Sequence, residues 1–414
     1  RELSSGSIKL LYSSPVSNLQ IIVGKYLSVV VYGVILVAVL LIPLIFSVII
    51  VKSADIQFMF TALLGVFITI CTYAAIGLFM STITKYQVVA AIGTLAILAI
   101  LNFIGNVGQD IDFVRDLTYW LSISGRSKIF LEGMICSRDI IYFLLVIFMF
   151  LAFAFIKLQG ERLKSSTLKT VGSYLIVFVF VLVGGYISSR PVMIVYYDAT
   201  ATKLNTLTKN SQEIVKKIDG GLTLTTYVNL LDDTWYHASP SSKNYDMDRF
   251  ERYVRFKPDM KIEYVYYYGP GTSSHYDKVY KGLGPKERML KVCEGYDYNP
   301  DMFISAEEVQ KVEDISAENG RIVRVFKREN GQKAYLRIYN DMYVHPFESE
   351  ITAALKTLVD KSPLIAFVTG HGERACDDFG DRGYAAFAKN PTFRNALINQ
   401  GFRVQDLTLE QPVP

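Results

Sequence analysis

The sequence predicts an α-helical transmembrane bundle followed by an extracytoplasmic α/β domain. Five apolar stretches in the first half of the 414 residues are long enough to cross the bilayer. About 30 Å of hydrocarbon takes about 20 such residues. The composition then changes abruptly. Residues 1–190 carry 14 Lys+Arg against 8 Asp+Glu, whereas residues 191–414 carry 29 against 31. In that second half helical and β-prone runs alternate, the pattern of an α/β domain. The net charge of +4 therefore belongs to the apolar half, as loops at an anionic inner leaflet would have it. No dense basic stripe with interleaved aromatics is present, so no nucleic-acid partner is expected.

The elements follow in order. Residues 1–25 form an amphipathic segment with Arg1, Lys9 and Lys25 and a Ser-Ser-Pro break. Such segments lie at a membrane surface, where a soluble partner can grip them. The predicted spans cover residues 26–51, 57–80, 86–104, 139–158 and 171–189. The first is longer than a crossing requires, and Pro43 predicts a kink in it. No span holds a charge in its middle, which argues against a proton-coupled carrier. Lysines and arginines set the orientation. Arg1, Lys9, Lys25, Lys85, Lys157, Arg162, Lys164 and Lys169 fall inside, and five crossings then put residues 191–414 outside. Four spans make a membrane domain over 26–158. A basic link and a lone anchor span occupy 159–190.

The order Glu2, Gly6-Ser7-Ile8, Leu10-Leu11, Ser14-Pro15-Val16-Ser17, Gly24-Lys25 resembles the cytoplasmic coupling segment of type-2 ABC exporter permeases. Ser7 stands where Thr is usual and keeps the hydroxyl. Before the fourth span, Phe130, Gly133, Ile135, Arg138-Asp139 and Tyr142-Phe143 are similar to the stretch preceding the last span of the same permeases. Arg138 and Asp139 are read as an interfacial anchor, pairing with lipid or with each other; Glu132 and Arg138 lining an exit path is the alternative. The resemblance implies a separate ATPase subunit docked on Glu2, Gly6, Leu10, Leu11, Pro15 and Lys25, a second permease copy making a dimer, and membrane lipid around both. A chain that opens inside this segment is expected to lack its first spans. The phosphate-loop pattern G-x-x-x-x-G-K-[ST] is absent, and its nearest approach, Val23-Gly24-Lys25-Tyr26, lacks the first glycine and the hydroxyl residue. ATP and Mg are accordingly expected on the partner, with no cofactor and no enzymatic activity in this chain.

In the outer half, residues 222–230 and 261–268 read as strands and residues 248–256 as a helix between them. Asn330-Gly331 marks a hairpin, because that pair tolerates positive φ. A helix over 346–362, a strand over 364–370, a helix over 384–400 and a strand over 402–409 complete the pattern. Three passages resemble the gliding-motility auxiliary component of ABC exporters (a Gld F/Gld G-like pairing when joined to the permease half). They are Tyr197-Asp198 with Thr200, Lys203 and Asn205-Thr206-Leu207-Thr208; Phe347-Glu348-Ser349-Glu350-Ile351-Thr352; and Phe367-Val368 leading into Thr369-Gly370-His371-Gly372-Glu373. Asn205 replaces an aromatic. The resemblance implies a permease fused to a periplasmic auxiliary domain in a bacterial inner membrane, linked to gliding or secretion and cut at both ends.

Thr369, Gly370, His371, Gly372 and Glu373 form the one passage that suggests a ligand site, since α/β folds place sites at the carboxyl edge of strands. The plain alternative is a tight glycine turn, with Glu373 or Asp377 capping a following helix. No metal is expected, because His237, His275 and His345 lie in unrelated segments. The tyrosines at 264 and 266–268 read as sheet packing ahead of sugar stacking. Cys293 and Cys376 share the outer half, and buried thiols are expected ahead of a disulfide. Two rivals to the exporter reading remain at this stage. One is a membrane-anchored periplasmic enzyme or sugar/peptide-binding module, the other a mechanical envelope complex that transports nothing.

Overall fold

A computed structural model describes residues 15–163, 166–190, 193–270, 274–370 and 372–408. The chain divides into two compact units, Arg1–Thr206 and Leu207–Pro414. Residues 191–206, read as the start of the outer domain, group with the first.

Among its described residues, unit 1 holds five helices long and apolar enough to span a bilayer. The first, α1 (Asn18–Ile50), starts at Ser17. Its hydroxyl accepts from Gln20 N at 3.2 Å while Ser17 N donates to Gln20 Oε1 at 2.9 Å. This reciprocal cap satisfies two end donors, so the helix begins eight residues before the expected span. Residues 18–25 are thus continuous with it, and the helix runs on through Pro43. Next come α2 (Ile56–Ile83) and α3 (Gln87–Phe103), then the short α4 (Asp112–Leu121) and α5 (Ile123–Leu131). Strand β1 (Met134–Cys136) leads into α6 (Ser137–Leu163), and α7 (Thr167–Ser188) is the fifth span.

The centre of unit 1 is α2 against α6. On α6, Tyr142, Phe143, Val146, Phe150, Ala154 and Leu158 repeat at helical spacing and are all buried; the first four cluster with Ala75 and Ile76 of α2 and Phe130 of α5, the last two with Ile22 of α1. The helix read as a lone anchor also packs here. Phe148 and Phe180 stand 5.6 Å apart, and Phe153 and Tyr174 5.1 Å apart, tying α7 to α6. Gly185 lets α7 approach Trp120, where an added Cβ would fall 1.9 Å from Cζ2. Small residues at such contacts are the usual means of close helix approach in membranes.

Strand β2 (Tyr196–Asp198) closes unit 1 by pairing antiparallel with β1. Unit 2 then opens with α8 (Lys209–Lys216) and β3 (Leu222–Asn229). The expected helix at 248–256 is two short ones, α9 (Lys243–Asp248) and α10 (Glu251–Phe256), followed by β4 (Lys261–Tyr268). After α11 (Ser274–Val279) and α12 (Pro285–Tyr296), β5 (Ile304–Ser305) runs into α13 (Ala306–Val312). The hairpin β6 (Val323–Arg328) and β7 (Lys333–Arg337) turns at Asn330-Gly331 as its sequence requires. The order β5-β4-β3-β6-β7 gives a mixed sheet, parallel on the β3–β4–β5 side and antiparallel on the β6–β7 side. Leu224 and Phe326 pack on one face with Phe250, Tyr253, Ile351 and Leu355 from the helices α10 and α14 (Glu348–Lys356). Tyr227, Val323 and Val325 pack on the other with Val309 of α13. Tyr266 and Tyr267 are buried, the packing role expected of them.

A separate parallel pair, β8 (Leu364–Thr369) with β9 (Arg403–Thr408), follows α14. The helix expected over 384–400 is absent. Only a turn, α15 (Ala385–Ala388), and a 3-10 turn at Leu397–Gln400 form. Pro391 has no N–H to give a helix. Asn390 instead accepts from Thr392 N at 2.9 Å, and Asn399 Nδ2 donates to the carbonyls of Asn390, Pro391 and Phe393 at 3.2, 3.2 and 2.9 Å.

The α7 docking predicts that Gly185→Leu, by driving a branched side chain into Trp120, costs on the order of 1–3 kcal/mol. A lower melting temperature of the detergent-solubilised protein checks it, with Gly172→Leu, where an added Cβ meets nothing within 4 Å, as the control that leaves melting unchanged.

Candidate functional site

Polar contacts gather at the two ends of the unit 1 helices. At one end, Arg162 near the close of α6 donates to Val16 O at 3.2 Å and Asn18 Oδ1 at 3.1 Å. This fixes the last turn of α6 to the first of α1. Of the coupling residues expected from sequence, Glu2, Gly6, Leu10 and Leu11 lie outside the described residues. Pro15 is exposed just before the Ser17 cap, and Lys25 sits half-buried in α1. Lys85 is exposed in the α2–α3 turn.

The opposite end of these helices holds a charged cluster that sequence spacing did not reveal. Arg126 of α5 donates to Asp139 of α6 at 2.6 Å, with their side chains 6% and 0% exposed. The Arg126 guanidinium also lies 4.5 Å from the centre of the Tyr142 ring, and its Nε donates to Trp120 O at 3.3 Å. Tyr142 OH in turn donates to Leu121 O at 2.7 Å. Arg138 and Asp139 do meet, at 3.4 Å, but Arg126 is the shorter and more deeply buried partner. A carboxylate at the start of a helix also favours the positive end of its dipole.

Around this cluster the segment after α7 is stitched to the starts of α2 and α6 and to the residues that follow α5. Ser137 Oγ donates to Met193 O at 3.2 Å and accepts from Val195 N at 2.9 Å. Met134, Ile135 and Cys136 face Asp198, Tyr197 and Tyr196 across the β1–β2 ladder. Tyr197 OH donates to Gln57 Oε1 at 3.2 Å, Ala201 N to Asp55, and Asn205 Nδ2 to Glu132 O at 2.6 Å. The loop itself is held by Asp198, which accepts from Thr200 N, Thr200 Oγ1 and Asn205 N at 3.0, 2.6 and 2.8 Å. Asp198, Thr200, Lys203 and Asn205, singled out by their order in the sequence, thus form one knot: Lys203 Nζ caps Asp198 O at 2.6 Å. The signal was present in sequence, but its partners 60–140 residues away were not.

In the Thr369–Glu373 passage, Thr369 ends β8 opposite Thr408. Gly370 and Gly372 take φ of +116° and +89°, a conformation that favours glycine. His371 lies outside the described residues. No helix follows for Glu373 or Asp377 to cap: a loop runs on to α15. Among the described residues, no group of three His, Cys, Asp or Glu could hold a metal ion. The four cysteines are all free and buried. Burial pushes the Cys293 thiol up to about 11, away from the reactive thiolate.

Two histidines read as unrelated do meet. The rings of His237 and His345 stand 5.0 Å apart, edge to face. They cover a polar row on the unit 2 sheet, where Thr226 is flanked by Tyr264 on β4 and Arg324 on β6. Arg324 Nη2 donates to Asp246 Oδ1 at 2.6 Å, both residues fully buried, and Tyr264 OH donates to Asp246 Oδ2 at 2.9 Å.

With this geometry in view, the comparison with known proteins falls on unit 1. Residues 1–111 match the family model described as ABC-2 family transporter protein. No curated protein and no solved structure matches the chain. The match and the five apolar helices together support a multi-pass membrane permease of the ABC transporter kind, a class that works with an ATPase partner.

Breaking the Arg126–Asp139 pair leaves the fully buried carboxylate with only the longer, more exposed Arg138 contact. Arg126→Ala is expected to destabilise unit 1 by about 3–5 kcal/mol, while Arg126→Leu with Asp139→Leu recovers most of that loss. Melting of the purified variants in one detergent measures both. Equal losses in the single and double variants would contradict the pairing.

Proposed function

We propose that this chain is the permease subunit of an ATP-driven ABC exporter, carrying a fused auxiliary α/β domain outside the cytoplasm. The observation that carries this reading is the ABC-2 match over residues 1–111, which includes the amphipathic coupling segment and the first three spans. A separate ATPase binds ATP and Mg; this chain supplies no phosphate loop and acts as no enzyme. ATP draws two ATPase copies together, and two permease copies are moved with them. The push enters at residues 1–17 and reaches α1 directly, since α1 begins at the Ser17 cap with no break before the span. Arg162 passes it to α6. Only a partner that binds one permease conformation better than the other can shift the balance between them.

Five crossings carry the chain from the Arg162 end to the β1–β2 end, so unit 2 lies on the side opposite the ATPase. A bacterial inner membrane with unit 2 in the periplasm fits this placement, and the Gld F/Gld G-like passages support a link to gliding or secretion. The β1–β2 clasp favours a second reading, in which the same ATP-driven movement works an outer partner mechanically and carries no substrate across.

Purification of the full-length chain from native membranes, beside a variant lacking residues 4–17, tests the coupling. An ATPase activity is expected to copurify with the intact chain and to be lost from the variant. No ATPase with either chain would overturn the assignment.

A further inference from the structure

The loop between β7 and α14 carries a strained residue and a buried histidine side by side. Val344 takes φ of +58°, a conformation that a β-branched side chain resists. It is held there by Asp341 Oδ1, which accepts from Tyr343 N at 3.0 Å and Val344 N at 2.9 Å, and by Tyr339 N, which donates to Val344 O at 2.8 Å. The next residue, His345, is 8% exposed, and its Nδ1 is buried with no hydrogen-bond partner.

The groups facing His345 come from every element around it. Arg324 on β6 and Arg249, which directly follows α9, act on it electrostatically, and both lie against Asp246 of α9. His237 stands in the turn after β3, and Arg394 in the last loop donates to His345 O at 3.0 Å. Acidic neutralisation is already committed. Asp246 serves Arg324 and Tyr264 and lies 3.7 Å from Arg249, while Asp341 and Glu350 each hold Arg394 at 2.7 Å. A proton on His345 would therefore add a positive charge beside three arginines with no carboxylate left for it.

We propose that His345 is the trigger of an acid-released latch, in which its protonation expels residues 340–346 from the Arg324–Asp246 cluster. Strain at Val344 is relieved in the same movement, and the Asp341–Arg394 pair breaks with it.

Burial and the arginines Arg324 and Arg249 hold His345 down to about 3, and burial first, then Arg249, lowers His237 as well. An opened loop returns His345 to its ordinary value of about 6.5. The open form thus binds more protons between these limits, so closure is fully stable above about pH 6.5 and weakens as pH falls toward 3. For His345 alone the opening equilibrium rises about 30-fold between pH 7.5 and pH 5.

Hydrogen exchange of the full chain in detergent, corrected for intrinsic rates, tests this over residues 338–347. The expected result is about 30-fold faster opening of that loop at pH 5 than at pH 7.5, with β3 unchanged and the rise lost in His345→Gln. A pH-independent loop, or a rise that survives in His345→Gln, would overturn the proposal. Should that variant not fold, a carbon-13 histidine titration of the wild-type chain decides. An imidazole still neutral at pH 5 supports the latch, and one titrating near 6.5 overturns it.

Discussion

The contact of α2 with α6 is what the rest of unit 1 is arranged around. Hydrocarbon offers no hydrogen-bond partner, so polar groups carried to the outer end of that contact must be satisfied by protein. Asp139 opens α6 at the edge of the aromatic stripe, and Arg126 reaches it from α5, whose Ile123 and Phe130 are buried in the same core. The same guanidinium lies over Tyr142 and holds Trp120 O, and Trp120 is the residue against which Gly185 seats the fifth span. One ion pair thus orients α5, the start of α6 and, through Trp120, α7. The stability it contributes is small beside its cost if broken, which is the usual balance for buried charges.

Unit 2 meets the opposite problem. Its sheet face is apolar above and below, with Leu224 and Phe326 in one cluster and Val228 and Tyr266 in another. Between them runs the row Tyr264, Thr226 and Arg324. A buried arginine in a sheet is tolerable only because Asp246 neutralises it, and the surrounding loop supplies the remaining cover. That cover is where strain and two histidines gather, so the polar row sets which part of the unit responds to acid.

Much of this was legible in the residues. Hydrophobic runs gave the five spans because a helix must fill the bilayer with side chains, and boundaries shifted by at most eight residues where a cap such as Ser17-Gln20 extended the helix. The Asn-Gly hairpin and both strands of the β8–β9 pair were readable from local chemistry. The 384–400 region was misread as helix because apolar spacing outweighed Pro391 and the Asn390 and Asn399 side chains, which bind backbone that a helix would need. Contacts between distant residues were not legible. Arg126–Asp139, Gly185–Trp120 and His237–His345 all depend on which helices and strands lie together, and spacing along the chain carries none of that. Of the site residues, the Gly370 and Gly372 turn was readable, since its backbone favours glycine.

The proposed topology requires an odd number of crossings between the start of α1 and unit 2. Single cysteines at Tyr86, in the α2–α3 turn, and at Lys361, on the surface of unit 2, report that directly, because the native cysteines are buried. In intact membrane vesicles of known sidedness, a membrane-impermeant maleimide should label the two positions from opposite faces. Labelling of both from the same face would contradict the account.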